Sequence, residues 1–156
     1  MRNFSKEVSI IIVNYNTKEL LKNCISSILE HTKDISYEII VSDNGSVDGS
    51  IEMLQNEFPQ VRLLQNNANL GFGKANNVAA RIAEGKYIFY LNSDTILLSN
   101  AVKQFFDFWE KANIENIGVL GAQLLNAEHQ QVQSWGKYPT SLGTLKALLH
   151  MYLAHS

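Results

Sequence analysis

Hydrophobic and polar positions along the chain form blocks that predict strands separated by amphipathic helices. Four runs rich in β-branched and aromatic residues are typical of buried strands: residues 8–13, 37–41, 61–64 and 87–91. Each is followed by apolar residues at helical spacing, the clearest case being the stripe from Leu20 to Leu29. Strands that alternate with helices predict an α/β fold with a Rossmann-like, mostly parallel sheet and helices on both faces.

Local signals predict where several elements begin and end. Thr17 is placed to cap the helix after the first strand, Gly85 to end the third helix and Ser99 to begin the fourth. The run at 87–91 is continuous rather than alternating, which predicts a strand buried on both faces. The last predicted elements are a strand over 117–121, an edge strand or hairpin arm over 131–135, and an amphipathic helix over 142–152.

Polar side chains follow three of the predicted strands. Asn14, Asp43 and Asp94 each come at the end of an apolar run. In open α/β sheets, ligands bind at the carboxyl ends of the strands. We therefore expect these three residues to converge on one edge of the sheet and to border a ligand site.

The loop after the second strand contains two acidic residues with different expected roles. Asp43 is placed to accept hydrogen bonds from a base or ribose hydroxyl, or else it is a turn residue at the entry to a helix. Asn44 is open to the same two roles. Asp48 precedes Gly49 and Ser50 at a helix start, so capping explains it.

A glycine-rich segment before the third helix resembles a phosphate-binding loop. Gly71 to Lys74 brings backbone amides and one cation to a helix start, although Lys74 is equally well explained as a solvated lysine. The segment is not a dinucleotide fingerprint. That motif belongs in the first strand-to-helix turn, and there residues 14–17 contain no glycine.

Asp94 is the strongest candidate for a metal ligand. It ends the segment Asn92-Ser93-Asp94, whose residue types are otherwise ordinary in turns. One carboxylate, diphosphate oxygens and waters make a typical ligand set for Mg²⁺ or Mn²⁺. A metal held in this way neutralises charge on a departing diphosphate.

Composition narrows the class of protein further. The chain has 156 residues, 46% hydrophobic and 18% charged, which is typical of one globular domain. A net charge of -2 gives no indication of a nucleic-acid partner. No secretory signal or membrane-length apolar run is present, so we expect a cytoplasmic protein.

The single cysteine, Cys24, lies on a predicted apolar stripe and is expected in the core.

Four segments together resemble the family 2 glycosyltransferases. They are residues 8–16, 38–50, 69–73 and 91–95, in the order and spacing of that family. Asn92 stands where many members carry Asp, which is similar to the rhamnosyltransferase-like branch. The segment from Gly121 to Asn126, followed by one from Trp135 to Pro139, is also similar to that branch.

The resemblance implies a GT-A fold and a sugar transfer from a nucleoside diphosphate donor, linked to UDP or dTDP, to a saccharide or lipid-linked acceptor. It implies that Asp43 contacts the base or ribose, that Val13 and Asn14 line the nucleotide pocket, and that Asn92 and Asp94, with Ser93 between them, form the DXD-type pair. Transfer in such a family inverts the anomeric centre and uses a carboxylate as general base.

That general base has no convincing candidate in this sequence. In the family it lies downstream in an acidic segment, and the nearest residues here, Glu128 and His129, correspond to a turn. We therefore expect one donor-binding domain over 1–156, incomplete at its C-terminus and lacking the acceptor-binding portion. The alternative is a non-catalytic nucleotide-sugar binding or partner-docking module. The Leu-rich last helix would then mark a homodimer or a peripheral contact with the inner membrane face.

A nucleotidyltransferase is a third class with the same type of sheet. It would need a basic glycine-rich loop after the first strand, and the sequence lacks one.

Overall fold

The computed structural model describes residues 4–111, 118–126 and 128–132. The chain forms two compact units, Met1–Ile114 and Glu115–Ser156, and each is described by itself. The expectation of a single donor-binding domain over the whole chain stays a prediction.

A four-stranded parallel sheet with helices on both faces forms the first unit, which confirms the predicted fold class. Its strands are paired in the order β3-β2-β1-β4. The strands are β1 (Lys6–Asn14), β2 (Tyr37–Asp43), β3 (Arg62–Gln65) and β4 (Gly85–Asn92), and the helices are α1 (Lys18–His31), α2 (Ser50–Glu57), α3 (Phe72–Ile82) and α4 (Ala101–Lys111).

The core has two layers because successive residues of a strand point to opposite faces of the sheet. Ile10 and Ile12 of β1 belong to the larger layer, which includes buried side chains from α1, α2 and α4. Ile11 belongs to the smaller layer, where Ala79 of α3 packs. Cys24 is fully buried in the larger layer, as the helical stripe predicts.

The strand register brings the ends of three strands to the same edge. Asn14, the last residue of β1, pairs with Asp43, the last residue of β2. On the other side of β1, Val13 pairs with Asn92 at the end of β4. The carboxyl ends of β1, β2 and β4 therefore meet, as the ligand-site prediction requires.

The prediction that β4 is buried on both faces is wrong. Its residues alternate in burial, and Ile88 and Tyr90 are 40% and 52% exposed. The reason is topological: β4 is at the edge of the sheet in the described residues, and α3 packs mainly against β1 and β2. A continuous apolar run does not reveal its position in the strand order.

Two predicted helix ends are also corrected. Gly85 does not end α3, which stops at Ile82 with Ala83 in the capping position. It begins β4 instead, where a Cβ atom would lie 2.3 Å from the backbone nitrogen of Ser9, so only glycine fits. The fourth helix begins at Ala101, two residues after Ser99.

The second unit contains a short antiparallel hairpin formed by β5 (Leu124–Leu125) and β6 (Gln131–Val132). This confirms the hairpin-arm prediction for Gln131 and Val132, while residues 133–135 and the predicted last helix lie outside the described residues. Glu128 and His129 lie in the hairpin turn, as expected, and the backbone nitrogen of His129 donates to the carbonyl oxygen of Asn126.

The strand predicted over 117–121 is not formed by residues 118–121, and residue 117 lies outside the described residues. Two glycines weaken this run, and Val119 is 85% exposed, so no buried face holds it as a strand. Within the described residues, none of the helices combines the length and apolar character that a membrane crossing needs.

Candidate functional site

A cleft of about 560 Å³ opens at the carboxyl edge of the parallel sheet. It lies where the strand ends of β1, β2 and β4 meet, which is the usual place for a ligand in this architecture. The cleft is lined by Val13, Tyr15, Thr17, Asn44, Asn69, Phe72, Asn92, Ser93 and Asp94.

The turn after β4 presents Asp94 to the cleft. The backbone nitrogen of Thr95 donates to the carbonyl oxygen of Asn92 at 3.1 Å, which closes the turn. The carboxylate of Asp94 is exposed and makes no hydrogen bond or ion pair with the described residues. Both of its oxygens are therefore free to accept from a ligand or to bind a cation.

Helix α1 holds this turn from behind. The Oγ1 of Thr17 is 3.0 Å from the Oγ of Ser93, and the backbone nitrogen of Leu97 donates to the Oγ of Ser27 at 3.0 Å. The thiol of Cys24 donates to the carbonyl oxygen of Asn92, with a sulfur–oxygen distance of 3.6 Å. Burial, and secondarily the charge of Asp94, raise the pKa of Cys24 to about 12, so the thiol keeps its proton.

Asp43 lies at the same edge but behind the wall of the cleft. It is fully buried, and its two oxygens accept four hydrogen bonds. Oδ1 accepts from Asn14 Nδ2 at 2.8 Å and from Ser46 Oγ at 2.6 Å. Oδ2 accepts from the backbone nitrogens of Gly45 at 3.0 Å and Ser46 at 2.9 Å. This carboxylate fixes the loop that follows β2.

Asn14 is a partner in the same buried arrangement. Its side chain has no exposed area, donates to Asp43, and accepts from the Oγ1 of Thr17 at 2.7 Å. Thr17 is the N-cap residue of α1, as predicted, but its hydroxyl is turned toward β1 and makes no capping hydrogen bond. Val13, one residue earlier, does line the cleft.

Asn44 borders the cleft, although it is only 3% exposed and its side chain is hydrogen-bonded at both ends. Its Oδ1 accepts from Asn66 Nδ2 at 2.9 Å, and its Nδ2 lies 3.4 Å from Asn69 Oδ1. Its backbone nitrogen donates to the carbonyl oxygen of Asn14 at 2.9 Å, which ties the residue to β1. The amide of Asn44 is therefore held in a defined orientation at the end of β2.

One residue of the glycine-rich segment, Phe72, lines the cleft. The backbone nitrogen of Gly71 donates to Asn69 Oδ1 at 2.9 Å, and Gly71 itself has φ 77°, which favours glycine. Gly71 and Lys74 are exposed and do not belong to the cleft lining. The phosphate contact predicted for them remains a prediction.

Sequence reasoning missed four residues that line the cleft: Tyr15, Thr17, Asn69 and Phe72. Tyr15 and Phe72 are aromatic, and 49% and 60% exposed. Tyr15 lies in the loop after β1 and Phe72 is the first residue of α3, both at the strand edge predicted to bind a ligand, and that position is the signal that could have identified them. Exposed aromatic rings at a cleft can stack on a nucleobase.

Asp48 stabilises two helix starts, which confirms its predicted structural role. Oδ2 accepts from the backbone nitrogen of Lys18, the first residue of α1, at 2.8 Å. Oδ1 accepts from the backbone nitrogen and the hydroxyl of Ser50, the first residue of α2, at 3.0 Å and 2.6 Å. Burial acts to raise the pKa of Asp48, but these hydrogen bonds outweigh it and lower the pKa below its ordinary value.

The oxygen donors in the cleft suit a hard cation such as Mg²⁺ or Mn²⁺, shared with a ligand. No group of three or more His, Cys, Asp or Glu side chains that could hold a metal occurs among the described residues. Asp94 alone would leave most of the coordination sphere to ligand oxygens and water. The donor set therefore fits a cation that arrives with a diphosphate and does not fit a metal bound only by protein.

Comparison with known proteins gives a family and a fold. The family model described as Glycosyl transferase family 2 matches residues 9–147. The uncharacterized glycosyltransferase YfnE of Bacillus subtilis is 34% identical over 119 residues, which are 74% of this chain and 29% of that protein. The chain thus spans less than a third of the length of this relative.

Two solved structures share the fold. S. aureus TarS, residues 1–349, in complex with UDP-GlcNAc, has a TM-score of 0.62 at 21% identity, over 75% of this chain and 38% of that one. A mannosyltransferase from Pyrobaculum calidifontis, in complex with GDP-Man and Mn²⁺, has a TM-score of 0.59 at 21% identity, over 72% and 34%. At these identities the likeness concerns the fold alone.

Proposed function

This chain belongs to glycosyl transferase family 2, and on that premise we propose that it binds a nucleoside diphosphate-sugar, linked to UDP or dTDP, in the cleft at the carboxyl edge of its sheet. The protein would transfer the sugar to a hydroxyl of a saccharide or lipid-linked acceptor. The rhamnosyltransferase-like branch and a cytoplasmic location, with contact at the inner membrane face, belong to the same proposal.

The observation that carries the proposal is the placement of Asp94. Its carboxylate is exposed and unpaired among the described residues, and it shares one cleft with two exposed aromatic rings. A diphosphate needs positive charge nearby, whereas the described lining residues include no lysine or arginine. A cation bound by Asp94 would provide that charge.

We assign the nucleoside to the side of the cleft that holds the aromatic rings. Tyr15 or Phe72 would stack on the base, and Val13 would form the apolar floor. Asn44 would face the base or ribose because it lines the cleft, while Asp43 and Asn14 would support that loop from behind. In this arrangement Asp43 acts on the ligand through the loop it holds.

The diphosphate would lie beside the turn at Asn92, Ser93 and Asp94. Asp94 would bind the cation directly, and the uncharged side chain of Asn92 would support a ribose hydroxyl or a cation-bound water, while Ser93 would border the site between them. When bound, the cation supplies charge neutralisation for the diphosphate as it leaves.

Transfer requires a bond to form between the acceptor oxygen and the anomeric carbon while the bond to the diphosphate oxygen breaks. Direct displacement would invert the anomeric centre, and the acceptor proton must pass to a base. Among the described cleft residues Asp94 is the one carboxylate and no histidine is present. This favours, as a second candidate, a donor-binding module that does not itself complete the transfer.

Calorimetric titration tests the binding proposal. UDP and dTDP are titrated into the wild-type chain with and without Mn²⁺, and then into Asp94→Asn. We expect Mn²⁺ to strengthen binding in the wild type, and the variant to lose about tenfold or more of that enhancement. Asp34→Asn is the matched control, since Asp34 is exposed and lies at the opposite edge of the sheet. Equal binding by wild type and Asp94→Asn in Mn²⁺ would refute the role of Asp94.

Turnover separates the two candidate functions. Donor hydrolysis and transfer are followed by release of UDP or dTDP from the sugar nucleotide. Binding with very slow or no turnover supports the donor-binding module for this chain. Rapid transfer would show that a general base exists in a part of the protein not assigned to the cleft here.

A further inference from the structure

We propose that Thr17 is a positioning residue: its hydroxyl joins the turn that carries Asp94 to the loop that carries Asn44, and so holds the two halves of the cleft in one geometry. The inference rests on the proposed function, since it concerns the same cleft. This role of the Thr17 hydroxyl is indicated neither by the sequence nor by the position of Thr17 at the start of α1.

A continuous line of hydrogen bonds crosses the carboxyl ends of β4, β1 and β2. Ser93 Oγ lies 3.0 Å from Thr17 Oγ1, which lies 2.7 Å from Asn14 Oδ1. The other end of the Asn14 side chain donates to Asp43 Oδ1 at 2.8 Å, and Asp43 Oδ2 accepts from the backbone nitrogen of Ser46 at 2.9 Å. Thr17 is the link in this line between Ser93 of the turn and Asn14 of β1.

The direction of each hydrogen bond follows from the groups present. Asn14 Nδ2 faces two acceptors, the carboxylate of Asp43 and the Oγ of Ser46, so the amide oxygen must be turned toward Thr17. That oxygen can only accept, so Thr17 uses its single proton as donor there. The hydroxyl of Ser93 must then donate to Thr17. Each group in the line therefore donates to the next: Ser93 to Thr17, Thr17 to Asn14, and Asn14 to the buried carboxylate of Asp43.

This ordering explains why Thr17 holds the turn rather than binding a ligand, although it borders the cleft. Its only proton is committed to a fully buried oxygen of Asn14. The contact to Ser93 fixes the residue next to Asp94, and no other described side chain bonds to Ser93. Loss of the Thr17 hydroxyl would therefore free the turn at the point that sets the direction of Asp94.

The fold should survive that loss because two other contacts keep the turn against α1. Cys24 donates to the carbonyl oxygen of Asn92, and Ser27 accepts from the backbone nitrogen of Leu97. These contacts flank Ser93 and Asp94 without touching either side chain. We therefore expect altered cation binding in a protein that still folds.

The experiment compares Thr17→Val, which removes the hydroxyl and keeps the shape, with Thr17→Ser, which keeps the hydroxyl. Dissociation constants are measured for UDP with and without Mn²⁺, and for uridine alone. We expect Thr17→Val to lower the Mn²⁺ enhancement of UDP binding by about tenfold and to leave uridine binding within about twofold. Thr17→Ser should restore the enhancement. Ser93→Ala, which breaks the line without uncovering Asn14, should reproduce the loss even if the valine variant folds poorly.

The outcomes separate this inference from the function on which it rests. A wild-type chain that binds no UDP, or binds it equally with and without Mn²⁺, overturns both. A wild type with Mn²⁺-enhanced binding and a Ser93→Ala variant that keeps the full enhancement overturns the positioning role alone. Equal losses for uridine and UDP in Thr17→Val would also overturn it, because they indicate direct contact with the nucleoside.

Discussion

The buried carboxylate of Asp43 provides a sharp test of how the loop after β2 is built. Asp43→Asn keeps the shape of the side chain but replaces one acceptor oxygen by an NH₂ group. Oδ2 faces two backbone N–H donors, and Oδ1 faces the Nδ2 of Asn14 and the hydroxyl of Ser46. Either orientation of the new amide therefore sets its NH₂ against an N–H donor.

The expected magnitude follows from the hydrogen bonds that cannot be remade. Two of the four bonds to the carboxylate are lost, and hydrogen bonds to such a group contribute about 1.5–3 kcal/mol each. No cavity forms, because the volume is unchanged. We expect Asp43→Asn to lower the free energy of unfolding by about 3 to 6 kcal/mol, a large part of the roughly 5–15 kcal/mol typical of a domain.

Urea denaturation followed by circular dichroism measures this free energy. Asp34→Asn is the control: Asp34 is exposed, has φ 57° and makes no hydrogen bond among the described residues, so the change should stay within about 0.5 kcal/mol of the wild type. A loss below about 1 kcal/mol for Asp43→Asn, together with lost UDP binding, would refute the reasoning. That pair of results would mean that the carboxylate contacts the ligand directly and that the loop opens to expose it.

Three further predictions concern stability and reactivity. Gly85→Ala should destabilise the protein by several kcal/mol, because its Cβ would lie 2.3 Å from the backbone nitrogen of Ser9. Gly73→Ala is the control: its Cβ meets open space, so the change should be neutral or stabilising by about 1 kcal/mol. The urea midpoints of both variants test this prediction. Asp48→Asn should destabilise at pH 7 by about 1 kcal/mol. Because folding lowers the pKa of Asp48, its contribution is full above the unfolded pKa of about 4 and is lost as the pH falls through the folded pKa, so the two proteins should converge in urea titrations as the pH falls below about 4. Cys24, with a pKa raised to about 12 by burial, should react with a thiol reagent at pH 8 only after unfolding.

Much of the parallel sheet could be predicted because its signals are local. The β-branched runs gave the strands, and the polar residues at their ends gave the edge where the cleft lies. The turn at Asn92 and Asp94 followed from the same argument. These features depend on the order of residue types along the chain, which the sequence shows directly.

The features that were wrong or missed depend on which elements become neighbours. The exposure of Ile88 and Tyr90 follows from the place of β4 at the edge of the sheet in the described residues, where α3 packs mainly against β1 and β2, and no local pattern encodes this. The need for glycine at position 85 arises from the close approach of β1. The backbone nitrogen of Gly85 donates to the Oγ of Ser9, a residue 76 positions earlier in the sequence. The aromatic residues at the cleft, Tyr15 in the loop after β1 and Phe72 at the start of α3, could not be assigned to a buried face.

The difference between Asp43 and Asp94 shows why residue type and strand end are not sufficient to assign a binding role. Both are carboxylates at the same edge, yet Asp43 meets four donors from β1 and its own loop, while Asp94 meets none among the described residues. A carboxylate that is already satisfied has little to gain from a ligand, since binding would exchange one set of hydrogen bonds for another. An exposed carboxylate without a protein partner exchanges only water for the ligand, so it can gain more. We therefore propose the cation-binding role for the turn after β4, while Asp43 holds in place the loop that carries Asn44.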